Sequence, residues 1–124
     1  MATLPEGAPF KASEFSCRCG CGLGLKDVPQ STIDKLVKAR AIAKVPFIID
    51  SAIRCVTHNT KEGGAKNSAH LRGYALDIRA RDSRTRYKIL TALLAVGFTR
   101  IGYNKKFIHA DDDPSLDPEV IFDY

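Results

Sequence analysis

Ser68-Ala69-His70-Leu71-Arg72-Gly73-Tyr74-Ala75-Leu76-Asp77 is the stretch whose reading decides the fold of this chain. The alternation from Tyr74 to Ile78 marks a short strand, because residues two apart share a face. Ala75 and Asp77 then point one way, while Tyr74, Leu76 and Ile78 point toward a core. Gly73 permits a sharp turn that returns His70 over the face of Asp77. Further along, Phe107-Ile108-His109-Ala110-Asp111 reads as a second strand. There Phe107, His109 and Asp111 share one face and Ile108 and Ala110 take the core side. If the two strands are neighbours, His70, Asp77 and His109 converge. Two imidazoles and a carboxylate from separate segments are the inventory of a catalytic zinc site, which keeps three protein ligands and leaves a position for water.

Working outward, Ser31 with Asp34 reads as a helix N-cap and N3 acid, and Ile33, Leu36, Val37 and Ile42 recur at helical spacing. Pro46 closes that helix, and Phe47-Ile48-Ile49 reads as a short buried strand. Residues 52–69 form a long polar stretch around Gly63-Gly64, of a length that is usually functional inside a compact domain. Asp82 or Ser83 caps a second helix whose apolar stripe is Tyr87, Leu90 and Leu94, with Gly97 ending it. Strands around Phe98–Gly102 and Phe107–Ala110 make a hairpin through Tyr103-Asn104-Lys105. Residues 1–29 read as an irregular Cys/Gly-rich segment, and residues 112–124 as an acidic tail with two prolines. The class is α+β, a small, mainly antiparallel sheet packed by two helices, in a single domain spanning 1–124.

Hydrophobic residues at 44% and charged ones at 27% suit a soluble globular protein. No apolar run has the length of a membrane span, and the start of the chain lacks a basic-then-apolar signal segment. The expectation is synthesis in the cytoplasm, no membrane insertion, and a monomer, since no long apolar face asks for a partner. A net charge of +5 favours an anionic partner such as nucleic acid, acidic lipid or cell-wall polymer. Dispersed basic residues without interleaved aromatics argue against nucleic acid. Cys17, Cys19, Cys21 and Cys55 admit three readings. Disulfides conflict with cytoplasmic synthesis; a second, structural metal is possible, although C-x-C-x-C is not the paired C-x-x-C of a zinc ribbon; the plain alternative is a glycine-rich loop with buried free thiols.

The pattern Ser68-x-His70-x-x-Gly73-x-Ala75-x-Asp77 resembles the signature of the zinc D-alanyl-D-alanine peptidase family. That family includes D-alanyl-D-alanine carboxypeptidases, vancomycin-resistance dipeptidases and phage endolysins that cut peptidoglycan stem peptides, and its fold recurs in the hedgehog signalling domain. Ser51-Ala52-Ile53-Arg54-Cys55, His58-Asn59 and Gly63-Gly64 are similar to another block of the carboxypeptidase-type members, and Cys17-x-Cys19-Gly20-Cys21-Gly22 is similar to their N-terminal segment. The resemblance runs from about residue 14 to the end of the His109 strand. It implies a hedgehog/DD-peptidase-like fold, Zn2+ as cofactor with His70, Asp77 and His109 as its ligands, and a peptidoglycan peptide as substrate.

By the same resemblance, Arg54 matches the family arginine that stabilises a developing oxyanion or holds substrate, a task suited to a planar group that stays charged. Ser68 fits a hydrogen bond to substrate or a role in fixing the His70 turn. The general base is where the chain departs from the family. Many members place an acid three residues before the last histidine ligand, and others a histidine two before it; here Lys106 and Phe107 stand there. Asp111, on the strand face of His109, is the candidate base, its alternative being a carboxylate that orients an imidazole. His58 is better suited to shaping the long loop than to serving as base.

The implied function is zinc-dependent hydrolysis of amide bonds in peptidoglycan stem peptides, as a D-Ala-D-Ala carboxypeptidase or an endolysin-type endopeptidase. Its setting would be cell-wall lysis by a phage protein acting at the wall or periplasm. The alternative is a non-catalytic, zinc-stabilised cell-wall-binding module, to which Lys106 in place of an acid lends weight.

Overall fold

The computed structural model describes residues 1–124. Five strands, β1 (Ile49–Ser51), β2 (Ala75–Arg79), β3 (Arg100–Tyr103), β4 (Phe107–Asp111) and β5 (Val120–Asp123), form one sheet in the order β1-β2-β4-β3-β5. Neighbours are antiparallel except β3 and β5, which run parallel. Helices α1 (Gln30–Ala43) and α3 (Ser83–Ala95) pack against one another over one face of the sheet. The short α2 (Val56–Lys61) lies in the connection from β1 to β2. The architecture is the expected α+β class.

The pleat sorts the side chains. Leu76 and Ile78 of β2 and Ile108 and Ala110 of β4 join the buried cluster beneath the helices, with Ile33, Leu36 and Ala39 of α1 and Ile89, Ala92 and Leu93 of α3. Ala75, Asp77, His109 and Asp111 take the other face by strand alternation. The β3–β4 hairpin forms as expected, its β3 strand beginning two residues later than the sequence reading set it.

Several expectations need correction. The buried stripe of α3 is Ile89, Ala92 and Leu93, whereas Tyr87 is 71% and Leu94 48% exposed. Both stripes have helical spacing. Packing on α1 selects the one containing Ala92, because small residues there and at Ala39 let the helices approach. In α1, Ile42 is exposed and Ala43 is buried in its place. That helix starts at Gln30, with Pro29 rather than Ser31 at the cap position. In α3, Asp82 is the cap, its carboxylate accepting from the Thr85 N–H at 2.9 Å.

The acidic stretch 112–124 is packed against the rest of the fold. Asp112 pairs with Lys35 at 2.5 Å, Asp113 with Arg72 at 2.6 Å, and Val120–Asp123 becomes the edge strand β5. The acidic composition hid a β-branched and aromatic run, Val120-Ile121-Phe122, that has good strand propensity.

The observed α3 face predicts that Leu93→Ala lowers stability by about 2–5 kcal/mol through an unfilled cavity. Leu94→Ala on the same helix changes it by less than about 1 kcal/mol. Urea unfolding midpoints decide this, and equal losses at both positions would refute the assigned helix face.

Candidate metal centre and cleft

Antiparallel pairing of β2 with β4 places Asp77 directly opposite His109. Residues Ala69–Arg72 form a single 3-10 turn before β2, ended by Gly73 at φ +80°. A side chain at Gly73 would also meet the Asp27 carbonyl oxygen at 2.9 Å. The Ser68 hydroxyl caps the turn by accepting from the His70 N–H at 3.2 Å. His70 is thereby delivered to Asp77, and the three side chains converge, all buried.

Both imidazoles meet a single oxygen. Asp77 Oδ1 lies 3.2 Å from His70 Nε2 and 3.1 Å from His109 Nδ1. The outer nitrogens are engaged: His70 Nδ1 is 2.6 Å from the Ala52 carbonyl, and His109 Nε2 is 2.6 Å from Asp111 Oδ2. A carbonyl or carboxylate oxygen can only accept there, so each outer nitrogen carries the hydrogen. With the outer N–H groups held, an ion that displaced the inner protons now shared with Asp77 would meet a lone pair on each inner nitrogen, the arrangement by which proteins orient metal-binding imidazoles. The chemistry of this donor set, two nitrogens and one oxygen with their outer partners in place, fits a zinc ion with one position left open.

The electrostatics reflect that crowding. Burial pushes the Asp77 carboxyl up, but the charge of His70 and hydrogen bonds from both imidazoles hold it well below the usual carboxylate range. Burial would push His109 down, yet its hydrogen bonds to Asp111 and Asp77 prevail and raise it above its ordinary 6.5.

Arg54 is buried, unlike a surface ion pair. Its Nε donates to Ser51 Oγ at 2.9 Å, Nη1 to Asn59 Oδ1 at 3.3 Å and Nη2 to Asp77 Oδ2 at 3.2 Å. Ser51 reaches it because a bulge in β1 sets Ser51 across from Asp77. Asn59 reaches it from α2, and a side chain at Gly64 would collide with the Asn59 amide, which gives that glycine a physical reason. A guanidinium has five N–H donors, so these three bonds leave donors for a substrate.

Asp111 lies on the face expected for it, but its oxygens are occupied. Oδ2 accepts from His109, and Oδ1 is 3.1 Å from Arg100 Nε and 3.2 Å from the Asp113 N–H. It sits on the far side of the His109 ring from Asp77. The hydrogen bonding therefore favours the orienting reading of Asp111 over the base reading.

A cleft of about 660 Å³ opens over these groups. Its wall includes Arg54, His58, Ser68, Phe122 and Tyr124. His58 Nε2 lies 3.5 Å from Glu62 Oε1. Tyr124 stacks on His109 with ring centroids 4.8 Å apart, and burial with the nearby Asp77 charge pushes its hydroxyl up to about 12. Tyr124, Arg100, Ser51 and Asn59 were not singled out as site residues from the sequence. No local spacing points to the first two; Ser51 and Asn59 lay within the recognised blocks.

Compared with known families, residues 8–111 match the sequence model of Peptidase M15. No curated protein matches the chain.

In the metal-stripped protein the raised His109 value makes its stabilisation complete below its ordinary 6.5 and lost as pH rises through the raised value. Asp77, being lowered, contributes above the ordinary carboxylate range and loses its share only in strong acid. Chelator-treated protein is therefore expected to lose urea resistance as pH rises above the ordinary 6.5 of His109, and His109→Gln to flatten that slope. An equally steep slope in the variant would show that His109 is not the titrating group.

Proposed function

The chain belongs to the Peptidase M15 family of zinc D-alanyl-D-alanine peptidases, and from that premise we propose that it hydrolyses amide bonds in peptidoglycan stem peptides, with His70, Asp77 and His109 holding the zinc. The observation that carries this reading is the single Asp77 oxygen facing two imidazoles whose outer nitrogens are already engaged. When bound, zinc supplies Lewis acidity, lowering the pKa of a ligand water and polarising the scissile carbonyl.

The protein's own groups supply the rest. Arg54, with N–H donors left over, and the protonated Tyr124 hydroxyl are suited to donate to the carbonyl oxygen as negative charge develops on it. Asp111 holds the His109 ring and its tautomer, and Arg100 holds Asp111. A base must take the proton of the attacking water and return one to the leaving amine. Among the carboxylates of the cleft wall, Asp50 is paired with Arg79 and Asp111 with Arg100 and His109. His58, backed by Glu62, is the imidazole of the wall not directed at Asp77, and we assign the base to it.

The net charge of +5 suits an anionic wall polymer, and lysis of that wall, as by a phage enzyme, is the setting we propose. An inert module that keeps its metal is the competing reading, and Lys106 in the cleft wall favours it.

Mass spectrometry of fragments released from purified peptidoglycan tests both readings. Chelator-sensitive release is expected, and the new termini name the bond as carboxypeptidase or endopeptidase cleavage. His58→Gln is expected to retain zinc while turnover falls by about 10²–10⁴-fold. An Asp111→Asn protein that keeps its metal is expected to lose less. Inactivity of Asp111→Asn beside a fully active His58→Gln would return the base to Asp111, and metal-loaded wild type that releases nothing would establish the inert module.

A further inference from the structure

A second convergence of metal-binding groups lies outside the cleft. Cys17, Cys19 and Cys21 come from the loop between the turns Ala12–Phe15 and Leu25–Asp27, and Cys55 is the N-cap of α2. Their four sulfurs lie within 4.8 Å of one another although Cys55 is distant in sequence. Cys17 and Cys19 are 3.4 Å apart, Cys19 and Cys55 3.5 Å, and Cys17 and Cys55 4.0 Å.

Those separations select the chemistry. A disulfide brings its sulfurs to about 2.05 Å, and all four cysteines are free thiols here. Four thiolates arranged tetrahedrally about 2.3 Å from one zinc ion are separated from each other by about 3.8 Å, the edge of that tetrahedron. The three sulfur–sulfur distances bracket this edge. We propose that Cys17, Cys19, Cys21 and Cys55 bind a structural zinc ion, distinct from the His70, Asp77 and His109 site.

The donor set agrees. Four soft sulfurs suit zinc and exclude magnesium or calcium, which take oxygen ligands. Four protein ligands close the coordination sphere and leave no open position, which marks the site as structural. Backbone N–H groups already point at the sulfurs, Cys55 N–H at Cys17 Sγ at 3.5 Å and His58 N–H at Cys55 Sγ at 3.4 Å, and such donors stabilise thiolates. The expectation of buried thiols is corrected here. Cys19 and Cys21 are exposed, and only Cys17 is buried.

The placement gives the ion a purpose. Cys55 follows Arg54 and starts the helix that carries His58 and Asn59. Bridging it to Cys17, Cys19 and Cys21 ties the irregular N-terminal loop to the segment that holds Arg54. Arg18 reinforces the link through hydrogen bonds to the Glu14 and Ile49 carbonyls at 2.9 and 3.0 Å. A loop with little apolar core of its own would gain its order from such a bridge.

Metal analysis of protein purified under reducing conditions tests the assignment independently of activity. Wild type is expected to hold about two zinc ions per chain, and the Cys19→Ser/Cys21→Ser double variant about one. His109→Ala is also expected to fall to about one, and to keep, after cobalt substitution, the thiolate-to-cobalt charge-transfer band that the double variant loses. Zinc content unchanged in the cysteine variant would overturn the proposal. So would iron in place of zinc, a wild-type mass reduced by two hydrogens per disulfide, or a cobalt-loaded wild type without the thiolate band. The last two need no variant and stand even if the double variant fails to fold.

Discussion

The structure is organised around one oxygen of Asp77, which lies 3.2 Å from one imidazole and 3.1 Å from another with almost no solvent contact. A buried carboxylate is costly unless it is paired and hydrogen-bonded. Its other oxygen is held by Arg54, and the two imidazoles are themselves anchored at their outer nitrogens. The strand register that sets Asp77 across from His109 is thus the constraint that the sheet must preserve. A slip of one residue in either strand would turn that strand's ligand candidate into the helix-covered core.

A wider set of ion pairs holds this centre. The consecutive residues Asp111, Asp112 and Asp113 have different basic partners: Arg100 from β3, Lys35 from α1 and Arg72 beside the His70 turn. One short acidic run therefore connects the sheet, the helical layer and the turn that delivers a candidate ligand. Arg54 works similarly on the opposite side, joining Ser51, Asn59 and Asp77 from separate segments. The side chain that resembles a substrate-binding arginine also holds the second oxygen of the Asp77 carboxylate, so its two roles are not separable by simple truncation.

The β5 strand shapes the mouth of the cleft. Phe122 packs near His109, with ring centroids 5.5 Å apart, and Tyr124 stacks on the same imidazole. These rings sit beside the site because β5 runs parallel to β3 at the sheet edge, a long-range placement that the prolines and acids before it do not announce. Burial there and the nearby Asp77 charge raise the Tyr124 hydroxyl and keep it a donor.

By itself the sequence determined the parts governed by short-range rules. Ser68, His70, Gly73 and Asp77 lie close enough along the chain for one turn and one strand to fix their relation, and the alternation in β2 and β4 named the faces of Asp77, His109 and Asp111. Tertiary structure decided what depends on which surfaces meet. The stripe of α3 was chosen by its fit against α1, since Tyr87-Leu90-Leu94 and Ile89-Ala92-Leu93 have equally helical spacing. Asp111 changed from a free carboxylate to an occupied one only because Arg100 and the Asp113 amide lie within reach. The cysteines likewise formed a cluster only when folding brought Cys55 to Cys17, Cys19 and Cys21. Spacing along a chain encodes periodicity and local turns; the partner of a charge, a thiol or an apolar stripe is set by distances through space, which exist only once the chain has closed on itself.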